Sequence, residues 1–481
     1  MRTKSFADLK PIIFKIIVLA FMFGFGFLPS IGQMTPLGMR VFGIFFGSIF
    51  GWVAVSLIWT SCVGVVALGL CAYNSLGDTF TAVYGSQTAV MLLCCIFACA
   101  LIAKTDLASV IVQALTSLKI AQKDPFIMSF FVFLSAWIIG TLSHCLVAGL
   151  LLLSIYDNMS AKGGVPKQHP TNSYWATGIS IAATFGDLTF PFRPVAYAIL
   201  GTYTAFTGQA VPFIQYEAIV LPFLFLILIT YVLLGKYVLR VDMHFFNNTA
   251  LFQQTTKATK KQKTALIFLG LMLIAMFLPS LFGTGTSILD VFMNKLGLGG
   301  IALICIAVMM FWQVEGKPLM DLQELSSEFQ WGPYLCISYL MPLASTISSD
   351  ASGITATLNG WFEPFLSVLS PMVFLSVVIL LVILMTNVIN NMVAAMIFIT
   401  ILYSLEPTLG TSLNFTAATL AIMLGAYFAC LTPAANPLMA YIFTLKGLIR
   451  IKSQFMYGAI SCILMYILTL CVFYPLAARI F

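Results

Sequence analysis

Charged side chains are scarce in this sequence of 481 residues. Only 8% of the residues are Asp, Glu, Lys or Arg, whereas 60% are hydrophobic, and the mean hydropathy is +1.02. About a quarter of the residues of a soluble domain are charged, so this composition excludes a soluble protein and predicts an all-α polytopic membrane protein. The net charge of +7 is modest and scattered, which argues against nucleic acid as a partner and indicates basic cytoplasmic loops.

The sequence also lacks the short motifs of enzymes and metal sites. It contains no HExxH, P-loop, GxSxG, paired-cysteine zinc pattern or Gly-rich dinucleotide turn. Its 11 cysteines lie mostly in apolar runs, where cysteine behaves as a small hydrophobic residue. We therefore expect no enzyme, metal or cofactor. A membrane enzyme would need a catalytic base near Ser143 or Cys145 that the sequence does not show.

Apolar segments account for most of the chain. A membrane span needs about 20 mostly apolar residues, and the uninterrupted candidates lie near residues 11–31, 38–56, 58–73, 212–236, 264–283, 299–313 and 455–480. We expect the first to be a retained helix, because it lacks a persuasive signal-peptide cleavage site. Longer regions are interrupted by Gly, Pro, polar or charged residues, at 84–118, 126–160, 171–208, 333–361, 364–405 and 411–446. Irregular backbone at membrane depth requires protein or water partners, so these regions are expected to hold the functional site.

The two halves of the chain resemble each other. "SHCLVAGLLLLSIY" (Ser143–Tyr156) aligns without a gap with "NNMVAAMIFITILY" (Asn390–Tyr403). "LTFPFRPVAYAI" (residues 188–199) aligns with "LTPAANPLMAYI" (residues 431–442), and "TDLASVIV" (residues 105–112) more loosely with "SDASGITA" (residues 349–356). The same order in both halves indicates a duplication, and about five membrane elements per half predict that the second copy is inverted. Inverted repeats with broken helices are typical of secondary transporters.

These repeats give the expected domain organisation. It comprises a first transmembrane helix (1–35), repeat 1 (36–240), a basic loop (241–263) and repeat 2 (264–481). Repeat 1 is expected to hold a re-entrant hairpin at about 124–160 and a broken helix at about 171–208; repeat 2 has the equivalents at about 363–405 and 411–446. The loop carries four lysines in its last seven positions, so it is expected to be cytoplasmic. In total we expect about eleven spans plus the two hairpins.

Each predicted hairpin has a polar tip, Ser143-His144-Cys145 in repeat 1 and Asn390-Asn391-Met392 in repeat 2. Free backbone N–H groups and the helix dipole at the start of a second hairpin helix form an anion site, and exposed carbonyls can ligate a cation. The alternative is that these polar side chains join helices by hydrogen bonds. In repeat 1 the turn could instead be Ile139-Gly140-Thr141.

Each repeat also carries a proline-bearing break, "TFPFRP" (Thr189–Pro194) and "TPAANP" (Thr432–Pro437). Two prolines so close together are incompatible with continuous helix. We expect the unwound backbone to face the hairpin tip of the same repeat. The alternative is a simple proline kink whose polar groups are satisfied by neighbouring helices.

These motifs resemble those of the divalent-anion:sodium symporters, or dicarboxylate transporters, of the ion transporter superfamily. That family has a Ser-Asn-Thr signature at each hairpin tip and a Thr four residues before the second one. Here Thr386 has that spacing, Asn391 keeps the central Asn, and Ser143 keeps the first Ser, while His144 and Cys145 depart from the pattern. "TPAANPLMAY" looks like the family's second break. The resemblance in layout covers roughly residues 36–480.

The resemblance implies a homodimer with a static scaffold domain and a moving transport domain that works as an elevator. It implies that the tips bind substrate carboxylates and that nearby carbonyls and asparagines hold Na⁺, the candidate coupling ion. The implied substrate-binding residues are Ser143, His144, Cys145, Asn390, Asn391, Met392, Thr189, Arg193, Pro194, Thr432, Asn436 and Pro437. The implied ion-binding residues are Ser143, Thr386, Asn387, Asn391 and Asn436.

Arg193 departs most clearly from this pattern, because the other repeat has Asn436 at its position. A charge at membrane depth costs about 2.5–3.5 kcal/mol on insertion scales and marks a functional candidate. One hypothesis is that Arg193 holds a carboxylate and replaces the charge that Na⁺ provides elsewhere. The alternative is that it pairs with Asp187 or extends to the membrane surface. His144 is similarly either a proton-coupling group or a structural one.

The sequence thus predicts a secondary active transporter of small organic anions, such as C4-dicarboxylates, in a lipid bilayer, with the bacterial inner membrane as the expected location. Transport would use Na⁺ symport or anion exchange. The alternative is a cation/proton antiporter or arsenite-type carrier of the same superfamily, although the acidic residue that this mechanism needs at a hairpin tip is missing and only Asp187 is close. A membrane receptor or assembly factor without transport activity is a more remote alternative.

Overall fold

The computed structural model describes residues 6–105, 107–142, 145–191, 193–246, 258–282, 288–329, 331–354, 356–357, 360–361, 370–389, 391–409, 412–433 and 435–481. This part of the chain is almost entirely helical. Its one small sheet is a two-stranded antiparallel hairpin, in which β1 (Gln313–Val314) pairs with β2 (Lys317–Pro318). The predicted all-α class is therefore confirmed.

The helices of the first half precede the basic loop. They are α1 (Phe6–Leu19), α2 (Pro36–Ala54), α3 (Leu57–Leu70), α4 (Leu76–Tyr84), α5 (Gln87–Thr105), α6 (Leu107–Thr116), α7 (Pro125–Leu142), α8 (Cys145–Gly163), α9 (Pro170–Phe185), α10 (Pro194–Thr207) and α11 (Phe213–Leu233). Short π-helical turns extend α1 over Ala20–Gly24 and α11 over Leu234–Val238.

The helices of the second half follow the loop. They are α12 (Lys260–Phe282), α13 (Ile288–Phe311), α14 (Leu322–Leu325), α15 (Trp331–Ser348), α16 (Pro371–Thr386), α17 (Asn391–Ser404), α18 (Glu406–Leu409), α19 (Phe415–Tyr427), α20 (Pro437–Thr444), α21 (Ile451–Leu468) and α22 (Tyr474–Ile480). A π-helical turn at Thr469–Phe473 joins α21 to α22.

Several helices are apolar enough to cross a membrane. Four segments reach the necessary length: Leu76–Ile102, Pro125–Leu142, Phe213–Val238 and Ile451–Ile480. Further apolar helices of 10–17 residues include both helices of the predicted second hairpin, Pro371–Thr386 and Asn391–Ser404, and one half of each broken helix, Val195–Thr207 and Phe415–Tyr427. At a rise of about 1.5 Å per residue these helices are shorter than the hydrocarbon core, which re-entrant and broken helices tolerate where protein covers their ends. The chain is a multi-pass membrane protein.

Several helix ends and loops contact one another on the side of the molecule where α11 leads into the lysine-rich loop, and this side is called the basic face. Nζ of Lys236, at the end of α11, lies 2.6 Å from a carboxylate oxygen of Asp124, which precedes α7. The side-chain amide of Gln168, just before α9, donates to the carbonyl of Lys446 at 3.0 Å. Because α11 leads directly into the lysine-rich loop, this face is the one that the positive-inside rule predicts to be cytoplasmic.

The start of α12 and the end of α5 lie together beyond the lysine-rich loop. The side-chain amide of Gln262 donates to the carbonyl of Thr105 at 2.9 Å, and Nζ of Lys104 lies 3.8 Å from a carboxylate oxygen of Glu324 in α14. These contacts place the segment that precedes α15 on the same face as the loop.

The two broken helices approach the basic face with opposite ends. Helix α9 begins there, two residues after Gln168, whereas α20 ends there, two residues before Lys446, and these two residues contact each other. The pair α9–α10 therefore starts at the face where the pair α19–α20 finishes. This arrangement is the one that an inverted repeat produces.

Hairpin helix α7 packs very closely on the end of α9. At Gly186 an added Cβ atom would lie 2.1 Å from the backbone carbon of Gly140, and at Gly140 it would lie 2.3 Å from the carbonyl oxygen of Ala183. Only hydrogen atoms at both positions allow the two backbones to approach in this way. The contact fixes the distance between the first hairpin and the first break.

We expect Gly186→Ala to lower the free energy of unfolding by about 1–3 kcal/mol, because an added methyl group has no space beside a backbone. The matched control is Gly270→Ala in α12, where an added Cβ atom meets nothing within 4 Å and alanine has the higher helix propensity. Thermal unfolding of the purified protein in detergent measures both changes. Equal midpoints for the two variants would contradict the close packing.

Candidate functional site

A cavity of about 480 Å³ lies where the two repeats meet. Its wall combines residues of both hairpins and both breaks with one residue of α3. The lining residues are Leu57, Cys145, Leu146, Val147, Thr184, Asp187, Val195, Asn391, Met392, Tyr427, Ala435, Asn436 and Pro437. Of the residues predicted from the sequence, Cys145, Asn391, Met392, Asn436 and Pro437 are among them.

Four helices begin at the wall of this cavity. Helices α8 and α17, the second helices of the two hairpins, begin at Cys145 and Asn391. Helices α10 and α20, the second halves of the two broken helices, begin at Pro194 and Pro437. The N-terminal end of a helix carries a partial positive charge and exposed N–H groups. The cavity thus meets four positive helix ends, two from each repeat.

Asp187 places a carboxylate on the cavity wall. It follows α9 in the first break, and Nη2 of Arg193 lies 3.2 Å from its Oδ1, with only 7% of either side chain exposed. The Cys145 side chain at the start of α8 lies beside this carboxylate on the cavity wall. Asp187 therefore joins the first break to the first hairpin.

Arg193 lies behind Asp187 and is not one of the lining residues. Its Nη2 also donates to the carbonyl of Gly140 at 3.2 Å, and its Nη1 donates to Sγ of Cys99 in α5 at 2.8 Å. Arg193 therefore pairs with Asp187 in the structure. This pairing is the alternative that the sequence analysis gave to direct contact between Arg193 and a carboxylate substrate.

Thr189 is buried in the first break. Its Oγ1 accepts a hydrogen bond from Nε1 of Trp137 at 2.7 Å and donates to the carbonyl of Phe185 at 2.9 Å. It also shares a 2.9 Å hydrogen bond with the hydroxyl of Thr141, near the end of α7. Thr189 thus holds the break against the first helix of hairpin 1 and does not reach the cavity.

Asn387 and Thr432 make the equivalent connection in repeat 2. Oδ1 of Asn387 accepts from the backbone N–H of Leu431 at 2.8 Å, and its Nδ2 donates to the carbonyl of Ile383 at 2.6 Å. The hydroxyl of Thr432 donates to the carbonyl of Asn387. With only 2% of its surface exposed, Asn387 joins hairpin 2 to its break and does not face the cavity.

Asn391 and Asn436 reach the cavity while also stabilising the backbone around it. Oδ1 of Asn391 lies 2.9 Å from the hydroxyl of Thr386, which also contacts the carbonyl of Ala426. Asn436 is the N-cap of α20, with Oδ1 accepting from the N–H of Met439 at 2.8 Å and Nδ2 donating to the carbonyl of Ala429 at 2.8 Å. These bonds fix the orientation of both side chains at the wall.

Three of the predicted site residues, Ser143, His144 and Asn390, lie outside the described residues. Helix α7 continues through Leu142, so the alternative turn at Ile139-Gly140-Thr141 is wrong. Pro194 opens α10 directly before Val195, which lines the cavity.

The sequence analysis missed Thr184 and Tyr427 on the cavity wall. They occupy equivalent positions, since the gapless match of Leu188 with Leu431 also aligns residue 184 with residue 427. Each lies near the end of the helix that precedes its break. Extending the repeat alignment by one helical turn would have identified both.

Within the described part of the chain, no three or more His, Cys, Asp or Glu side chains are grouped as a metal site would need. The side-chain groups of Asn387 and Asn436, two of the predicted Na⁺ ligands, are bonded to backbone groups. Backbone carbonyls at the hairpin ends are further oxygen donors suited to a hard cation.

We expect Asn387→Ala to lower the free energy of unfolding by about 1–3 kcal/mol, because it leaves the buried N–H of Leu431 without its acceptor. Asn391→Ala is the matched change at the cavity wall, and it is expected to cost less, since the Thr386 hydroxyl keeps the carbonyl of Ala426 as a partner. Thermal unfolding in detergent compares the two variants. A larger loss for Asn391→Ala would reverse the roles assigned to these residues.

The fold is similar to that of a solved membrane transporter. The chain aligns with the YdaH transporter of Alcanivorax borkumensis over 98% of both chains, with a TM-score of 0.53 and 14% sequence identity. It aligns with MtrF of Neisseria gonorrhoeae, described as one of a class of antimetabolite efflux pumps, over 97% of this chain and 95% of that one, with a TM-score of 0.49 and 13% identity. No protein-family model and no curated protein sequence matches the chain. The chain therefore has a membrane-transporter fold over almost its whole length.

Proposed function

We propose that this protein is a secondary active transporter that moves small organic anions, such as C4-dicarboxylates, through the cavity between the repeats. The convergence of four helix N-termini on that cavity carries the proposal. The similarity of the whole chain to a transporter structure supports the transport function but leaves the substrate open.

The helix ends suit a carboxylate chemically. Backbone N–H groups in the first turns of α8 and α17 have no acceptor within their own helix, and the aligned peptide dipoles favour a negative charge there. Two carboxylates of one substrate would each be placed at a helix end from a different repeat. Discontinuous helices that point their N-termini at an anionic substrate are known from other transporter folds.

The Asp187–Arg193 pair keeps the cavity wall from repelling such an anion. An isolated carboxylate on the wall would oppose a dicarboxylate, and a buried charge without a partner is costly. With Arg193 3.2 Å away, the negative charge of Asp187 is compensated. We therefore assign Arg193 an indirect task, the neutralisation of Asp187, in place of direct contact with the substrate.

Coupling by Na⁺ symport or by anion exchange completes the proposal. Carbonyl oxygens released at the ends of α16 and α19 are suitable ligands for Na⁺. Movement of the hairpins and breaks as a unit against a scaffold, in a homodimer, is the elevator mechanism that the sequence resemblance implies.

The position of Asp187 favours a second candidate, a cation/proton antiporter. Its carboxylate lies on the cavity wall beside Cys145 at the first hairpin tip, close to where an antiporter of this superfamily needs an acidic residue. Carboxylates inside membrane segments commonly serve as proton carriers. In this candidate, Asp187 would bind the proton and the transported cation in turn.

Uptake of labelled succinate, malate and citrate into proteoliposomes tests the main proposal. We expect uptake of at least one C4-dicarboxylate that depends on an inward Na⁺ gradient or on anion loaded inside. Arg193→Ala is expected to reduce the initial rate at least about tenfold, because the Asp187 carboxylate, left without its partner at the cavity wall, would repel a dicarboxylate. Absence of uptake of any acid under either gradient would overturn the assignment.

The double variant Asp187→Asn/Arg193→Gln is the matched control, because it removes both charges but keeps two polar side chains of similar size. If Arg193 acts by neutralising Asp187, this variant recovers much of the uptake lost in Arg193→Ala. Size-exclusion chromatography verifies that both variants fold. A folded double variant as inactive as Arg193→Ala would show that the guanidinium charge itself is needed.

An imposed pH gradient tests the second candidate. If Asp187 carries protons, the gradient drives cation flux in the native chain but not in Asp187→Asn, and a pH-sensitive dye inside the vesicles reports the proton movement. Equal proton flux in both proteins would exclude Asp187 as the carrier.

A further inference from the structure

A second cavity, of about 700 Å³, lies between α1 and the corner that joins α2 to α3. Its lining residues are Pro11, Phe14, Lys15, Ala54, Val55, Ser56 and Trp59. The wall is polar at Lys15 and Ser56 and apolar elsewhere. None of these residues lines the cavity between the repeats.

This cavity lies on the basic face of the protein. Leu57 begins α3 at the α2–α3 corner, and its side chain would lie 3.6 Å from a Cβ atom added at Gly332, near the start of α15. The segment before α15 carries Glu324, which contacts Lys104 on the face of the lysine-rich loop. The cavity therefore lies on the face that the positive-inside rule predicts to be cytoplasmic, where lipid headgroups of that leaflet would surround the helix ends.

Lys15 supplies an available positive charge in this cavity. Its Nζ lies 5.7 Å from the ring centroid of Trp59, within the range of a cation–π contact. Among the described residues, no carboxylate lies within ion-pair distance of it. Ser56 adds a hydroxyl, since its side chain makes no capping bond to α3.

We propose that this cavity binds the phosphate headgroup of an anionic phospholipid. Lys15 would hold the phosphate, the Ser56 hydroxyl would donate to it, and the ring of Trp59 would lie at the interface between headgroup and hydrocarbon, where tryptophan is enriched. Basic pockets between membrane helices on the cytoplasmic side are suited to anionic headgroups.

The apolar part of the wall favours a lipid over free phosphate as the source of this anion. Pro11, Phe14, Ala54 and Val55 offer the glycerol and upper acyl region a surface that inorganic phosphate would leave uncovered. A lipid bound there would connect α1 to α2 and α3. None of its seven lining residues is among the predicted substrate-binding or ion-binding residues.

Native mass spectrometry of the full-length, delipidated protein tests this proposal with phosphatidylglycerol and phosphatidylcholine as probes. We expect tighter binding of phosphatidylglycerol, and about fivefold weaker binding of it by Lys15→Gln, the factor that corresponds to roughly 1 kcal/mol per basic residue at an anionic surface. Lys15→Arg is expected to retain the binding. Lys119→Gln, a change of another exposed lysine that does not line the cavity, is the matched control.

Inorganic phosphate and glycerol 3-phosphate, each added as a competitor, distinguish the two sources of the anion. If the lipid is the ligand, neither competitor displaces phosphatidylglycerol when it is present at the same concentration as the lipid. Displacement by inorganic phosphate at such concentrations would overturn the lipid assignment. An equal effect of Lys15→Gln and Lys119→Gln would overturn the site itself.

Discussion

Broken backbone buried at membrane depth is the constraint on which the rest of this structure depends. Hydrocarbon offers no partner to a free N–H or carbonyl group, so each break needs protein donors and acceptors at fixed places. In repeat 1, Thr189 bonds to Trp137 and Thr141 near the end of α7. In repeat 2, Asn387 at the end of α16 bonds to the backbone of Leu431. In both repeats the break is therefore attached to the first helix of its own hairpin.

This attachment determines where the cavity forms. Once each break is held against the first helix of its hairpin, the second helices, α8 and α17, begin opposite the second halves of the broken helices, α10 and α20. Four helix N-termini then meet at the cavity, and their dipoles favour a negative charge there. The polar residues at membrane depth accordingly have two tasks: Asn387 holds the backbone in place, whereas Asn391 faces the space that this creates.

The sequence predicted the all-α class and several cavity residues, because the gapless register of the repeats brings Cys145 and Met392 to equivalent positions. It did not separate wall residues from structural ones. That distinction depends on partners distant in the chain: Asn387 accepts from Leu431, 44 residues later, and no local pattern records such a bond. The sequence predicts Asp187 mainly as a partner for Arg193, because it does not show which member of a buried ion pair faces a cavity.

The asymmetry between the repeats explains the charge of Arg193. At the matched positions, repeat 1 has Asp187 and Arg193 where repeat 2 has Cys430 and Asn436. Asn436 donates to the carbonyl of Ala429 within its own break, and Arg193 donates to the carbonyl of Gly140 in the neighbouring hairpin, so both satisfy buried backbone acceptors. Among the described residues, the additional positive charge of Arg193 pairs with Asp187, 3.2 Å away. The two charges therefore depend on each other, because the Asp187 carboxylate at the wall requires the guanidinium behind it. Repeat 2 has no carboxylate at this position, and the neutral Asn436 is sufficient there.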